Sequence, residues 1–201
     1  DVDKEIIVID DSSTDETLFL LEERYDLYDK LIKQKINGGK GAAVKAGLLA
    51  SKGEYILFQD ADLEYDPNDY IKILEPVLRF DADVVIGSRL VASQITRVSY
   101  FWHRIANKLI TFSFNILNNT TFTDVYSCYL LYKSNLLDPN MLLTNGWEQH
   151  AEILSNVVSK GKRFYEVPIN YYGRTYDEGK KIRPINIIPV FAIIIRKFIF
   201  S

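Results

Sequence analysis

Two aspartates, Asp60 and Asp62, stand two positions apart in the segment GEYILFQDADLEYDP, residues 53–67. In an extended segment, side chains at i and i+2 point to the same side, so both carboxylates can face one ligand. Hard divalent cations such as Mg²⁺ or Mn²⁺ take oxygen ligands, keep several waters and are completed by substrate phosphates. Ala61, between the two, is small enough to let such a ligand approach. An isolated Asp-x-Asp is most often a solvated turn, but the context here differs. The pair follows the apolar run 55–58, of the kind that forms a strand covered on both faces, and precedes Asp66-Pro67, a helix start with Asp as cap and Pro in the first position. The carboxylates are therefore expected at the carboxyl end of a buried strand, where open α/β sheets bind ligands.

Further groups suited to anions lie on either side. Gly38-Gly39-Lys40-Gly41 is a turn whose backbone can approach a phosphate, with one ammonium beside it and a helix amino end behind it. An ordinary glycine turn before a helix explains it equally well when taken alone. Asp10 and Asp11 end the first strand, where one can accept hydrogen bonds from a base or ribose and the other can serve helix entry. Arg89, after the fourth strand, is a candidate phosphate fork. Arg174, Lys180, Lys181 and Arg183 crowd the loop YGRTYDEGKKIRP, and a solvated basic loop is the bland alternative there. Asp124, Glu148 and Glu152 include a possible general base, although charged helix faces and caps account for them nearly as well. His103 and His150 read as surface or core-edge residues rather than ligands.

The elements that must position these groups alternate. A strand at 5–9 precedes a helix opened by the capping-box pair Ser13 and Glu16, with Leu18, Leu21, Tyr25, Tyr28 and Ile32 on one face. A short polar strand near 33–35 leads to the glycine turn and a second helix ending near Lys52-Gly53. After the central strand come a helix from Pro67 to about Arg79 and a strand over 83–87. This strand–helix alternation predicts an α/β fold with a mainly parallel, right-handed wound sheet flanked by helices. In the second half, Phe101, Ile105, Leu109, Phe112 and Ile116 form a helical stripe, with His103, Arg104 and Lys108 off it. A strand over 128–133, a helix from about Trp147 to Lys160 closed by Gly161, and an edge strand over 164–171 with Pro168 follow.

The chain has 201 residues, 47% of them hydrophobic and 25% charged, the profile of one globular domain with a sizeable core. Its single cysteine, Cys128, excludes an internal disulfide and a cysteine zinc site, so a reducing compartment is the default. A net charge of −3 gives no reason to expect a nucleic-acid partner. The charge is uneven, however. From Arg174 onward six basic residues face Asp177 and Glu178, so this tail carries +4 and the rest −7. No apolar run reaches the roughly 20 residues needed to span a bilayer. The sequence starts without a methionine and almost directly in a strand, so a fragment of a longer chain is expected.

In order and spacing, IDDSSTDET, NGGKGAAVKAG, DADLEYDP, IGSRL, TDVYSCYLLY, GWEQHAEI and VPINYYGRTYDEGKKI resemble glycosyltransferase family 2, nearest its dolichol-phosphate mannose synthase and polyprenyl-phosphate glycosyltransferase branch. The resemblance implies a GT-A, Rossmann-like domain over 1–184, lacking the family's first strand, and an apolar membrane-interface helix over 185–201. It implies an enzyme that binds a GDP- or UDP-hexose at Asp10, Asp11, Gly38, Lys40, Gly41, Asp60, Ala61 and Asp62, with Mg²⁺ or Mn²⁺ on Asp60 and Asp62. Asp60, Asp62, Arg89 and Arg174 are the expected catalytic residues, and Arg89, Arg104, Arg174, Lys180 and Lys181 are expected to bind a polyprenyl phosphate. Inverting transfer of mannose or glucose, by a peripheral protein at the cytoplasmic membrane face, is the expectation. A departure is Leu130, where relatives commonly carry a lysine. A family 2 enzyme with a saccharide acceptor and a noncatalytic nucleotide-binding module remain alternatives.

Overall fold

A computed structural model of the chain describes residues 2–91, 100–174, 177 and 187–200. The described residues form two hydrogen-bonded sheets with helices packed against them. Strand β1 (Ile7–Asp10) pairs in parallel with β2 (Lys30–Lys33). The second sheet has the order β3, β5, β4, β6, formed by Tyr55–Leu57, Leu130–Lys133, Val84–Ser88 and Phe164–Pro168. Within it β3, β4 and β6 run in one direction and β5 alone is reversed, so the expected mainly parallel α/β arrangement is present. β6 is bonded only to β4, which is where Pro168, unable to donate, is tolerated.

Strand β4 divides the interior. Val84 and Ile86 join a large core with Phe114, Leu130, Leu154 and Ile194, while Val85 faces a second cluster with Tyr65, Ile73, Tyr129 and Ile169. A strand covered on both faces reads as a continuous apolar run, as VVIG does. Helices α2 (Lys40–Ala50) and α3 (Tyr70–Phe80) flank the first half, and α3 is led in by Asp66, whose carboxylate accepts from the Asn68 amide at 2.9 Å. Helices α4 (Phe101–Asn118), α5 (Gln149–Lys160) and α6 (Ile187–Phe200) pack side by side on the large core. Val190, Ile193 and Ile194 of α6 are buried in it, so the inner face of the terminal helix belongs to the domain.

Three expectations are corrected. Helix α1 spans only Thr17–Glu23, with no side-chain cap, and gives way to a 3₁₀ turn at Tyr25–Leu27. Tyr28 is extended and Ile32 lies in β2 rather than on a helical face. The second strand accordingly starts before Lys33. The α4 stripe points outward: Phe101, Leu109, Phe112 and Ile116 are exposed, Phe112 to 65%, and the buried contacts come from Ile110, Thr111 and Phe114.

Candidate active site

The loop between β3 and α3 carries the aspartate pair. Asp60 lies 2.7 Å from the ammonium of Lys40, at the start of α2, and Asp62 lies 2.8 Å from the guanidinium of Arg174, beyond β6. Glu64, which sequence reasoning missed, ties the loop to that arginine. It accepts from the Arg174 amide at 2.8 Å, from Arg174 Nε at 3.0 Å and from the Tyr171 hydroxyl at 3.0 Å. The Tyr172 amide donates to the Glu64 carbonyl. Residues 60, 62 and 64 share the two-residue alternation that singled out the first two, so the signal was present in the sequence.

Electrostatics follow from this crowding. Burial pushes the Asp62 pKa up, and the charges of Glu64 and Asp60 add to it against the opposing Glu64 amide and Arg174. Burial acts in the same sense on Glu64, but its bonds from Arg174 and Tyr171 outweigh it and lower the pKa. Burial opposes the Lys40 charge, yet the neighbouring Cys128, Asp60 and Asp62 leave its pKa above the ordinary lysine value. The Cys128 thiol, against Asp60, is pushed up to about 12, chiefly by burial.

The glycine turn is built differently from an open amide cradle. The amides of Gly38 and Gly39 donate to the Asp11 carboxylate at 2.9 and 2.8 Å, and the Gly41 amide donates to the Asn145 carbonyl at 2.9 Å. Gly39 has φ of +83°, a conformation that favours glycine. Asp11 thus shapes the turn, and the turn presents Lys40. Asp10 is buried; one oxygen accepts from the Ser13 amide and the other, Oδ1, has no partner.

Arg89 is occupied inside the protein. Its Nε and Nη2 grip Asp124 at 2.7 and 2.8 Å, Nη2 also donates to the Tyr126 carbonyl, and the guanidinium stacks over Tyr171 at 5.2 Å. This buried fork acts on Asp124 rather than standing open as a phosphate fork. Arg104 is exposed on the first turn of α4, and Ala61 is exposed between the aspartates. Lys180, Lys181 and Arg183 lie outside the described residues. Of the candidate bases, Asp124 and Glu152 are fully buried and paired, while Glu148 is half-buried at the start of α5. His150, read as an edge residue, has a buried Nε2 without a hydrogen-bond partner and packs on Tyr126.

Among the described residues no three His, Cys, Asp or Glu side chains form a metal-binding group. Two partly exposed carboxylates that already attract two cations are still a suitable oxygen set for a hard ion whose remaining positions a phosphate ligand fills.

Comparison with known proteins agrees with this architecture. The model of the family Glycosyl transferase family 2 matches residues 1–138. A dolichyl-phosphate beta-glucosyltransferase of Dictyostelium discoideum is 38% identical over 110 residues, 50% of this chain and 34% of that protein. The glycosyltransferase AglJ of Haloferax volcanii is 28% identical over 184 residues, 90% of this chain and 58% of the relative. The chain thus spans between about a third and three-fifths of the length of these two relatives. Glucosyl-3-phosphoglycerate synthase from Mycobacterium tuberculosis, solved with Mn²⁺, uridine diphosphate and phosphoglyceric acid, has a TM-score of 0.68 at 17% identity, covering 96% of this chain and 67% of that one. This last likeness shows the fold.

Proposed function

The chain belongs to glycosyl transferase family 2, and from that premise we propose that it transfers a hexose, mannose or glucose, from a GDP- or UDP-sugar to a polyprenyl or dolichyl phosphate at the cytoplasmic face of a membrane. The observation that carries this reading is the arrangement of Lys40 on Asp60 and Arg174 on Asp62, two carboxylates flanked by cations that arrive from opposite ends of the chain. Asp60 and Asp62 would hold Mg²⁺ or Mn²⁺, which supplies charge stabilisation to a departing diphosphate. Lys40 adds a fixed positive charge on the donor side of the pair. Arg174, at the head of the basic loop, is placed to meet the acceptor phosphate. The acceptor oxygen attacks the anomeric carbon, the bond to the diphosphate breaks, and the nucleoside diphosphate leaves with the electron pair and inverted stereochemistry at the sugar.

A phosphate monoester near pH 7 is already largely ionised and needs no general base, whereas a sugar hydroxyl needs one. Asp124 and Glu152 are both sealed in internal pairs, which favours the phosphate acceptor. The printed names of the dolichyl-phosphate glucosyltransferase relatives support the same choice. Membrane-surface residence is supported by the outward apolar faces of α4 and α6, including Phe112, Ile116, Ile199 and Phe200, beside the exposed basic Arg104 and Lys108. No helix among the described residues is long and apolar enough to cross a membrane.

The test is steady-state transfer from labelled GDP-mannose and UDP-glucose to a short polyprenyl phosphate. Replacing Arg174 together with Lys180 by alanine is expected to reduce acceptor efficiency by roughly ten- to a hundred-fold, at about 1.5–3 kcal/mol per charge-assisted contact, with donor KM nearly unchanged. Glycosylation of free sugars with none of the lipid phosphate would overturn the acceptor assignment.

A further inference from the structure

Glu152 sits in the middle of α5 with no exposed surface, among Ala151, Ile153 and Leu154, all buried. A carboxylate taken out of water is costly unless paired and hydrogen-bonded, and a buried ion pair is seldom more stabilising than apolar residues of similar volume. The expense therefore calls for a purpose other than core stability. Here the carboxylate accepts from the Leu143 and Thr144 amides at 3.0 Å each and from the Thr144 hydroxyl at 2.7 Å. Its remaining partner is Lys197 of α6, whose ammonium lies 3.1 Å away with the side chain largely buried.

The segment so fixed leads straight to the aspartate pair. The next carbonyl, Asn145, receives the Gly41 amide at 2.9 Å, and that approach is possible because residue 41 has no Cβ: one built there would fall 2.4–2.6 Å from the Asn145 backbone. Two residues on, the Trp147 ring lies 5.2 Å beneath the Lys40 ammonium, and its carbonyl is held by the Tyr126 hydroxyl at 2.6 Å. The 143–147 segment thus sets both the backbone next to Lys40 and the ring against which Lys40 reaches Asp60.

We propose that Glu152, with Lys197 as its counter-ion, is a positioning residue for the diphosphate end of the donor site, acting through Asn145, Gly41 and Trp147 on Lys40. Neither residue touches the donor. Because Lys197 lies on the terminal helix, the same contacts make the donor site sensitive to how α6 is seated. The inference rests on the reading of Lys40 and Asp60 as a nucleotide-sugar site.

The experiment measures binding of UDP and of GDP, each with Mn²⁺, by calorimetry, and follows the emission of Trp147 in a Trp102→Phe background, where Trp147 is the only tryptophan. Glu152→Gln is expected to raise the dissociation constant of the nucleotide that binds by roughly ten-fold or more, the range for losing a charge-assisted bond. Lys197→Met is expected to raise it roughly three- to ten-fold, Lys197→Arg to restore it, and both weakened variants to shift Trp147 emission with acceptor KM unchanged. If Glu152→Gln does not fold, Lys197→Met and Lys197→Arg decide. Folded variants that lose only melting temperature, with wild-type nucleotide affinity and emission, overturn the inference. A wild-type protein that binds neither nucleotide would instead refute the donor-site reading beneath it.

Discussion

Gly41→Ala strikes the contact between the glycine turn and the Asn145 backbone from the side opposite Glu152. A new methyl carbon would stand 2.4 Å from the Asn145 carbonyl carbon, 2.5 Å from its oxygen and 2.6 Å from its Cα. Non-bonded carbons sit at about 3.5–4.0 Å, so the Asn145 backbone must retreat by roughly 1 Å, breaking the hydrogen bond from residue 41. Overpacking costs about 1–3 kcal/mol and the lost hydrogen bond about 0.5–1.5 kcal/mol. Alanine offsets nearly 1 kcal/mol of this through its helix propensity, so a folded protein destabilised by roughly 1–3 kcal/mol is expected. The effect on ligand should be larger in proportion. The Lys40 to Asp60 bond of 2.7 Å does not survive a 1 Å displacement as a good contact, and a charge-assisted bond of about 1.5–3 kcal/mol corresponds to roughly ten- to a hundred-fold in nucleotide affinity. Calorimetry of UDP and GDP with Mn²⁺, alongside thermal melting, reads both quantities. A variant that binds within two-fold of the wild type would refute the idea that this joint sets Lys40.

Asp62→Ala should remove almost all transfer while changing stability by less than about 1 kcal/mol, because its partner Arg174 is partly solvated; turnover and melting curves check this, as does loss of wild-type activity in excess chelator. His150 gives a pH dependence: burial, helped by the charge of Lys40, lowers its pKa from 6.5 to about 4. Because the folded value lies below the unfolded one, its contribution is complete above about pH 6.5 and is lost as pH falls towards 4, on the order of 2–3 kcal/mol in all. Melting temperature should therefore decline over that window, and His150→Phe should flatten the decline; an unchanged slope would show that another group is responsible.

Much of the site could be read from residue order because strand ends and charges coincide. Asp60, Asp62, Lys40 and Arg174 meet as their types and spacing required, since complementary charges at the carboxyl ends of neighbouring strands converge whatever the details of the loops. What failed to show had specific causes. Tyr25, Tyr28 and Ile32 fit a helical period, but Ile32 pairs with Ile9 across a parallel ladder, and a long-range strand pairing overrides local periodicity. The α4 stripe was a true amphipathic face with its direction undetermined: periodicity shows that a helix has two sides, not which one meets the core. Arg89 resembled an open phosphate ligand because nothing near it in sequence announces Asp124, 35 residues away. Glu152 and Lys197 look like ordinary charged helix positions until α5 and α6 are brought together.

The double-sided burial of β4 leaves open how the strand knows its alignment. When both faces are apolar, sliding by one residue exchanges Val84 and Ile86 for Val85 without exposing a polar group, so hydrophobic alternation carries almost no alignment information. That information comes from the two ends. Asp83 accepts from the Lys162 and Arg163 amides at 2.9 and 3.0 Å and pairs with Lys133 at 2.9 Å, fastening β4 to β6 and β5 at once. At the other end Gly87 fits where an added Cβ would lie 2.7 Å from Ile169, so a shift that brought Ile86 to that place would collide. A charged pin and a missing side chain thus serve as the two marks of a ruler, and the loops that carry Arg89 and Arg174 inherit their positions from it.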